Sequence, residues 1–317
     1  MKKCIALMLA VVMAVCMLAG CGGSKLTFAT GGTTGTYYSY GSSIATVLSD
    51  ETDLKINVTS TGASKANIQL IEDGDADIAV VQNDVAYYAY TGTDLFDGET
   101  ACENLRTIGA LYSELVHIVA KSSITSIEDL KGKTVSVGDA GSGTEFNAKQ
   151  VLAAYGISFD DIDVVNLGFS DSADALKNGQ VDAFFGVSGS PATYITDLAA
   201  TNDFNLLEID DEHADTLKEE YGFYVPETVP GGTYSCVKDD VQTLAVKAVI
   251  VADASLSDDT VYELVKGLFD CKDSLAEAHA KGALLSMDTI LDGVSTPLHA
   301  GAVRYFEEMG LDISDYE

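Results

Sequence analysis

The chain has 317 residues, with 49 acidic side chains against 18 basic ones and a formal charge of −31. That excess of negative charge excludes nucleic acid and anionic membrane surfaces as electrostatic partners. After Cys21 the only cysteines are Cys102, Cys236 and Cys271, too few and too far apart for a disulfide framework or a zinc pattern.

Lys2 and Lys3, an apolar run over 5–18 and the small-residue stop Leu18-Ala19-Gly20 before Cys21 have the layout of a secretory signal. The run is too short for a comfortable membrane span. The cysteine placement resembles the bacterial lipobox, which implies removal of residues 1–20 and lipidation of Cys21, with 21–25 as a tether. The protein is then expected on the outer face of the bacterial cytoplasmic membrane, held there by the lipid on Cys21. What remains is longer than one hydrophobic core usually holds, so two lobes are expected. The expected division is 26–116 with 233–317 as lobe one, and 117–232 as lobe two. No later run of 18 apolar residues follows, so the body is expected to be soluble and tethered.

Residues 26–30 read as a short apolar strand running into Gly31-Gly32-Thr33-Thr34-Gly35-Thr36-Tyr37-Tyr38. Tyr37, Gly41, Ile44, Ala45 and Leu48 recur at helical spacing and predict one buried helix face. A strand over 56–60, a helix over 64–73 and a buried strand over 78–81 follow. Gln82-Asn83-Asp84 can cap the next helix, which carries Tyr87, Tyr88 and Tyr90. Two extended segments, 105–112 and 115–120, lie on either side of the first crossing between lobes, near 113–118. Lobe two reads as a helical turn at 127–130, strands over 134–137, 164–167 and 183–187, and helices over 143–155, 172–178 and 192–200. The stretch 221–230 reads as irregular, and Gly231-Gly232-Thr233-Tyr234 is a suitable place for the chain to cross back. The tail over 258–310 is nearly all helical by pattern, with Pro297 at a helix start.

Residues 26–82 and 133–189 repeat one plan: an apolar strand, a glycine turn opening a helix, and later a helix stop before a buried strand. The stops share the spacing Gly-x-x-Asp, as Gly74 with Asp77 and Gly179 with Asp182. Glycine suits a helix end because it takes the left-handed conformation without a Cβ penalty. Strands alternating with helices predict an α/β fold of two lobes with mostly parallel sheets, and ligands of such sheets sit at the carboxyl ends of strands. Two such edges opposed make a cleft.

Gly141-Ser142-Gly143-Thr144-Glu145 is the strongest local site, because Ser142 and Glu145 have the spacing of a capping box. A helix N-terminus placed there attracts a carboxylate, sulfate or phosphate group. An anion could be held without arginine, of which the chain has only Arg106 and Arg304. In the partner loop, Gly32 is part of the turn, Thr33, Thr34 and Thr36 offer hydroxyls, and Tyr37 and Tyr38 offer flat walls with polar tips. Tyr37 also fits the buried helix face, so core packing competes with ligand contact. Thr61, Ser64 and Asn67, and then Gln82, Asn83 and Asp84, add neutral polar groups at carboxyl edges, where caps are the competing reading.

No catalytic residue, metal ligand or cofactor is predicted. Neither glycine turn has the spacing of a dinucleotide motif or the lysine of a P-loop. Gly186-Val187-Ser188-Gly189-Ser190 misses the nucleophile elbow at its last residue, and His117, His213, His279 and His299 have no obvious partners. Asp73-Gly74-Asp75-Ala76-Asp77 lacks the glycine and glutamate of a calcium loop, with Ile78 and Asp84 in those places. Asp210-Asp211-Glu212 reads as a solvated acidic helix start.

The ordered set of Gly31 to Tyr38, then Ser60-Thr61-Gly62-Ala63-Ser64 with Asn67, then Ala76-Asp77-Ile78-Ala79 with Gln82-Asn83-Asp84 resembles the TAXI family. These are the solute-binding proteins of tripartite ATP-independent periplasmic (TRAP) transporters. Lobe two agrees through Leu130-Lys131-Gly132-Lys133, Val135-Ser136-Val137-Gly138, the Gly141 to Glu145 turn, and Val181-Asp182-Ala183-Phe184-Phe185 with Gly189 and Pro191. The resemblance spans about 25–310. It implies a type II periplasmic-binding fold closing on glutamate, glutamine or a related carboxylate, and delivery to an ion-coupled TRAP permease by a monomer that performs no chemistry. Carried over by motif position as ligand-binding residues are Thr33, Tyr37, Ser64, Asn67, Gln82, Tyr112 and the Ser142, Gly143 and Thr144 turn. The alternative is the substrate-binding lipoprotein of an ABC importer for pyrimidine precursors or sulfonates. An enzyme or receptor ectodomain on the same fold is disfavoured by the missing catalytic set and the missing later membrane span.

Overall fold

A computed structural model of the chain describes residues 25–316. The predicted signal segment and the lipidation site Cys21 lie outside the described residues. In the first half, β1 (Lys25–Ala29) pairs in parallel with both β2 (Lys55–Thr59) and β3 (Ile78–Gln82). The connecting helices are α1 (Thr36–Glu51) and α2 (Ser64–Asp73), and α3 (Asn83–Thr91) follows β3. The predicted face of α1 is buried, with Tyr40 and Val47 joining Tyr37, Gly41, Ile44, Ala45 and Leu48.

The second half repeats the arrangement. β5 (Thr134–Ser136) pairs in parallel with β6 (Asp163–Val165) and β7 (Ala183–Ser188). Its helices are α4 (Gly143–Ala154), α5 (Phe169–Lys177), α6 (Thr193–Ala199) and α7 (Asp211–Tyr221), with the short strand β8 (Asn205–Leu206) before the last. The shared Gly-x-x-Asp has one physical role in both halves. The chain leaves each helix through a left-handed glycine, Gly74 at φ 73° and Gly179 at φ 72°. Each aspartate then clamps the first strand of its half: Asp77 Oδ2 accepts from Thr27 N at 2.7 Å, and Asp182 Oδ2 from Thr134 N at 3.1 Å. The aspartate N–H groups return to the carbonyls of the same threonines at 3.0 and 2.7 Å.

Two long strands join the halves. β4 (Leu105–Ala120) and β10 (Val241–Asp253) run antiparallel at the centre of the order β2-β1-β3-β10-β4-β7-β5-β6. The expected break between 112 and 115 is absent, because Ser113 and Glu114 stay in the ladder opposite Lys247 and Val246. Both strands feed all four apolar clusters. Ile108 and Ile250 pack on one face of the first half and Ala110 and Val249 on the other, while Val116 with Val246 and Leu115 with Ala245 do the same in the second half.

The stretch expected to be irregular, 221–230, contains β9 (Val225–Val229), which pairs with β10. Tyr234, Val237, Leu244 and Val246 pack with the second half. The tail is helical only in part: α8 (Asp258–Asp270), α9 (Lys272–Ala278), a 3-10 turn (Ala280–Leu284) and α10 (Ala300–Glu308). Pro297 lies before the last helix, where its carbonyl accepts from Thr107 N at 3.0 Å, and His299 is the cap. A backbone tied to the edge of β4 at that point cannot already turn as a helix. Among the described residues no helix is long and apolar enough to cross a membrane.

Candidate ligand-binding site

Four helix starts meet at one cleft between the halves. Each follows the carboxyl end of a strand: α1 after β1, α2 after β2, α4 after β5 and α5 after β6. Thr36 and Tyr37, Ala63 and Ser64, Ser142 to Thr144, and Phe169 all line the cleft. Among the described residues, no protein acceptor takes the N–H of Thr36, Tyr37, Gly143 or Thr144. Helix N-termini carry about half a positive charge each, so the convergence makes an electropositive wall from backbone alone. Among the described residues no lysine or arginine lines the cleft.

The Ser142 turn shows how the sequence builds one of these starts. Ser142 Oγ accepts from Glu145 N at 3.1 Å, as the capping spacing predicts. Glu145 reaches one residue further back than a capping box requires, taking Gly141 N at 2.7 Å, because Ser142 N is already given to the Asp139 carbonyl at 3.0 Å. Gly141, at φ 76°, permits the tight reversal.

Two carboxyl groups, Glu114 and Asp139, also line the cleft. Glu114, at the middle of β4, is 2% exposed, and Oε2 accepts from Tyr37 Oη at 2.6 Å. Burial pushes the Glu114 carboxyl up to about 8; Asp84 pushes the same way, while the Tyr37 hydrogen bond and Lys281 pull down. Burial, together with Asp171, also raises Asp139. Burial beside Glu114 holds the Tyr37 hydroxyl well above its ordinary value, so it donates and does not ionise.

Side chains draw the halves together around the cleft. Gln82 Nε2 reaches across to Asn147 Oδ1 at 2.9 Å, and Asn147 Nδ2 donates to Asp84 Oδ2 at 2.8 Å and to Tyr224 Oη at 2.9 Å. Gln150 Nε2 donates to Tyr88 Oη at 3.1 Å, and Lys281 Nζ to the Ser190 carbonyl at 2.9 Å. The cleft between the halves holds a cavity of about 40 Å³.

Of the sequence-predicted residues, Gly32, Tyr37, Ser64, Gln82, Ser142, Gly143 and Thr144 line the cleft. Tyr37 fills both of its competing roles, being core and wall at once. Thr33 is exposed and does not line it. Asn67 is consumed as a brace, donating to the Thr30 and Val80 carbonyls at 2.6 and 2.7 Å and accepting from Thr61 at 2.5 Å. Tyr112 is buried outside the lining, its ring edge against Tyr40 and the Lys281 ammonium 5.4 Å above it. Glu114, Asp139, Phe169 and Ser188 line the cleft and were not among the candidates. Glu114 alone left a signal, as a carboxylate inside an apolar run. Outside the cleft lining, His213 pairs with the helix cap Asp210 at 2.8 Å and stacks on Tyr155. Among the described residues no group of three His, Cys, Asp or Glu could hold a metal ion.

The model of the NMT1-like family matches residues 28–310. The chain belongs to the NMT1-like family. Among solved structures, one from Bordetella bronchiseptica RB50 is 19% identical, with a TM-score of 0.53 over 90% of this chain and 82% of its own. A binding protein component of an ABC phosphonate transporter from Pseudomonas aeruginosa is 16% identical, with a TM-score of 0.54 over 82% and 79%. The periplasmic aliphatic sulphonate binding protein from Escherichia coli is 16% identical, with a TM-score of 0.49 over 90% and 84%. The fold is therefore the two-lobed periplasmic-binding-protein fold, α/β with its cleft between lobes, as the doubled strand and glycine-turn pattern predicts.

Proposed function

We propose that this protein is an extracytoplasmic solute-binding protein that captures a small acidic metabolite between its lobes and hands it to a membrane importer, without acting on it chemically. The observation that carries this reading is the convergence of four helix N-termini on one cleft that, among the described residues, no lysine or arginine lines. A carboxylate of a glutamate-like or glutamine-like amino acid, or of a dicarboxylate, fits that backbone wall. Two readings of the importer differ in support. The named role of the Pseudomonas aeruginosa neighbour favours an ABC importer, and this is the main reading. The order of the TAXI-like motifs favours a TRAP permease as the second. In both, the protein works as a monomer, held to the membrane by lipid on Cys21 after loss of residues 1–20. The bodies taken to close on each other are 26–116 with 233–317 and 117–232, and the packing of Tyr234 and Val246 with the second half supports a second boundary nearer 247.

A thermal-shift panel of amino acids, dicarboxylates, sulfonates and phosphonates tests the proposal. A ligand present at a hundred times its Kd stabilises the native state by about 2.7 kcal/mol and raises the Tm by several degrees. No shift with any compound at millimolar concentration removes the proposal.

A further inference from the structure

We propose that Glu114, with the carboxamide oxygen of Gln82, forms an ammonium seat, so that the cleft selects solutes bearing an amino group over their deaminated analogues. This rests on the reading of the cleft as a solute site and adds what the second end of the solute must be. The charged side chains lining the cleft are both acidic, Glu114 and Asp139. Glu114 has one hydrogen bond, from Tyr37 to Oε2, and no donor takes Oε1 among the described residues. Lys281 acts on it only through space: it makes no ion pair with Glu114 and gives Nζ to the Ser190 carbonyl. Gln82 is also in the lining; its Oε1, buried against Gly143, has no partner among the described residues, while Nε2 of the same carboxamide is fixed by Asn147. A buried acceptor without a donor is costly, and a ligand that supplies the donor recovers that cost.

An ammonium group has three donors and a positive charge, which matches two unpaired oxygens and a carboxyl. A hydroxyl or methyl in its place leaves at least one oxygen bare. The acid end of the same molecule goes to the free N–H groups of the helix starts, so the cleft offers partners to both ends of a zwitterion. Burial keeps Glu114 protonated in the empty cleft at neutral pH. The arriving ammonium makes the carboxylate the favoured form, so binding releases the Glu114 proton to solvent.

Titration calorimetry on the full-length protein decides the matter with matched pairs: L-glutamate and glutarate, taurine and ethanesulfonate, 2-aminoethylphosphonate and ethylphosphonate, with butylamine alone. Each titration is run at pH 7 in two buffers of different ionisation enthalpy. The aminated member of whichever pair binds is expected to be tighter by at least about tenfold, because its absence leaves buried acceptors unpaired. Proton release accompanies it. Glu114→Gln keeps the acceptor for Tyr37, and is expected to shrink the preference to within about threefold and abolish the release. The wild-type ratio and proton count need no variant, so a misfolded Glu114→Gln does not rescue a failed prediction. Equal binding of both members overturns the ammonium seat and leaves the solute reading standing. Binding of butylamine with no acid from any pair does the reverse. No binding by any probe overturns both.

Discussion

Glu114 makes a prediction about stability that needs no ligand. Its carboxyl titrates near 4.5 when exposed and is pushed up to about 8 in the folded chain, chiefly by burial. Between those values the folded state holds more protons than the unfolded one, so stability falls as pH rises. The stabilisation is fully present below about 4.5 and lost above about 8. Asp84, raised from 3.8 to about 6 by burial, acts with the same sign over a lower window. His117 opposes both, because burial lowers it from 6.5 to about 4, so its contribution rises with pH across that interval and is complete by 6.5. From pH 6.5 to 8 the slope therefore belongs mainly to Glu114. Wild type is expected to lose up to roughly 2 kcal/mol over those 1.5 pH units. Glu114→Gln is expected to be nearly flat there, with a Tm several degrees above wild type at pH 8. Calorimetric melts at the two pH values measure it, and parallel slopes for the two proteins would exclude a buried, raised carboxyl at this position.

At the scale of elements, the start of α4 meets the end of β3 across the cleft, and Gly143 is where they touch. A Cβ added at Gly143 would lie 1.4 Å from Gln82 Oε1. The helix could hold alanine there without strain, so the cost falls on the Gln82 side chain, which must swing away and give up Asn147. Gly143→Ala is accordingly expected to leave the unfolding free energy within about 1 kcal/mol of wild type, since one side-chain hydrogen bond is worth about that much. The same change should weaken ligand binding by tenfold or more and increase the radius of gyration in small-angle scattering with ligand present. Adding Gln82→Ala removes the obstacle, so the double variant should recover part of the compaction, a non-additivity that a double-mutant cycle reads directly. Additive losses would mean that the two residues do not meet on closure. The same contact shows which parts of the fold were legible. Strand, turn and helix in each half follow from local periodicity and from glycine placement, and so did Gly143 and Gln82, which sit at element ends. β10 escaped because Leu244 to Ala252 is an unbroken apolar run apart from Lys247, with no alternation to separate strand from buried helix. β4 was divided in two because Ser113 and Glu114 interrupt its apolar pattern, and only the pairing with β10 shows that the ladder continues through them. Asn67 and Tyr112 were placed by motif position, yet what they do depends on neighbours distant in sequence: Val80 and Thr30 for one, Tyr40 and Lys281 for the other.

The whole molecule carries a formal charge of −31, yet the solute proposed for its cleft is an acid, and the two act over different lengths. The helix-start wall acts within a few ångströms, since the dipole effect falls off within the first turn. The net charge acts at the approach, over a Debye length of about 30 Å at 10 mM salt and about 8 Å at physiological salt. A ligand of net charge −1 is therefore repelled on the way in and welcomed on arrival. The consequence is kinetic and depends on the ligand's net charge while its shape is held constant. L-glutamate and L-glutamine differ by one unit of charge and almost nothing in size. Raising sodium chloride from 10 to 150 mM is expected to speed glutamate association by about two- to fivefold as the repulsion is screened, and to leave glutamine association nearly unchanged. Dissociation rates, set inside the closed cleft where salt does not reach, should stay constant for both. Stopped-flow measurements using intrinsic tyrosine fluorescence suit a chain with 15 tyrosines and no tryptophan. If glutamate association slows as salt is added, the field at the cleft mouth is positive. The opposed helix starts would then control the approach as well as the seat, and the surface acids would be remote from the path of entry.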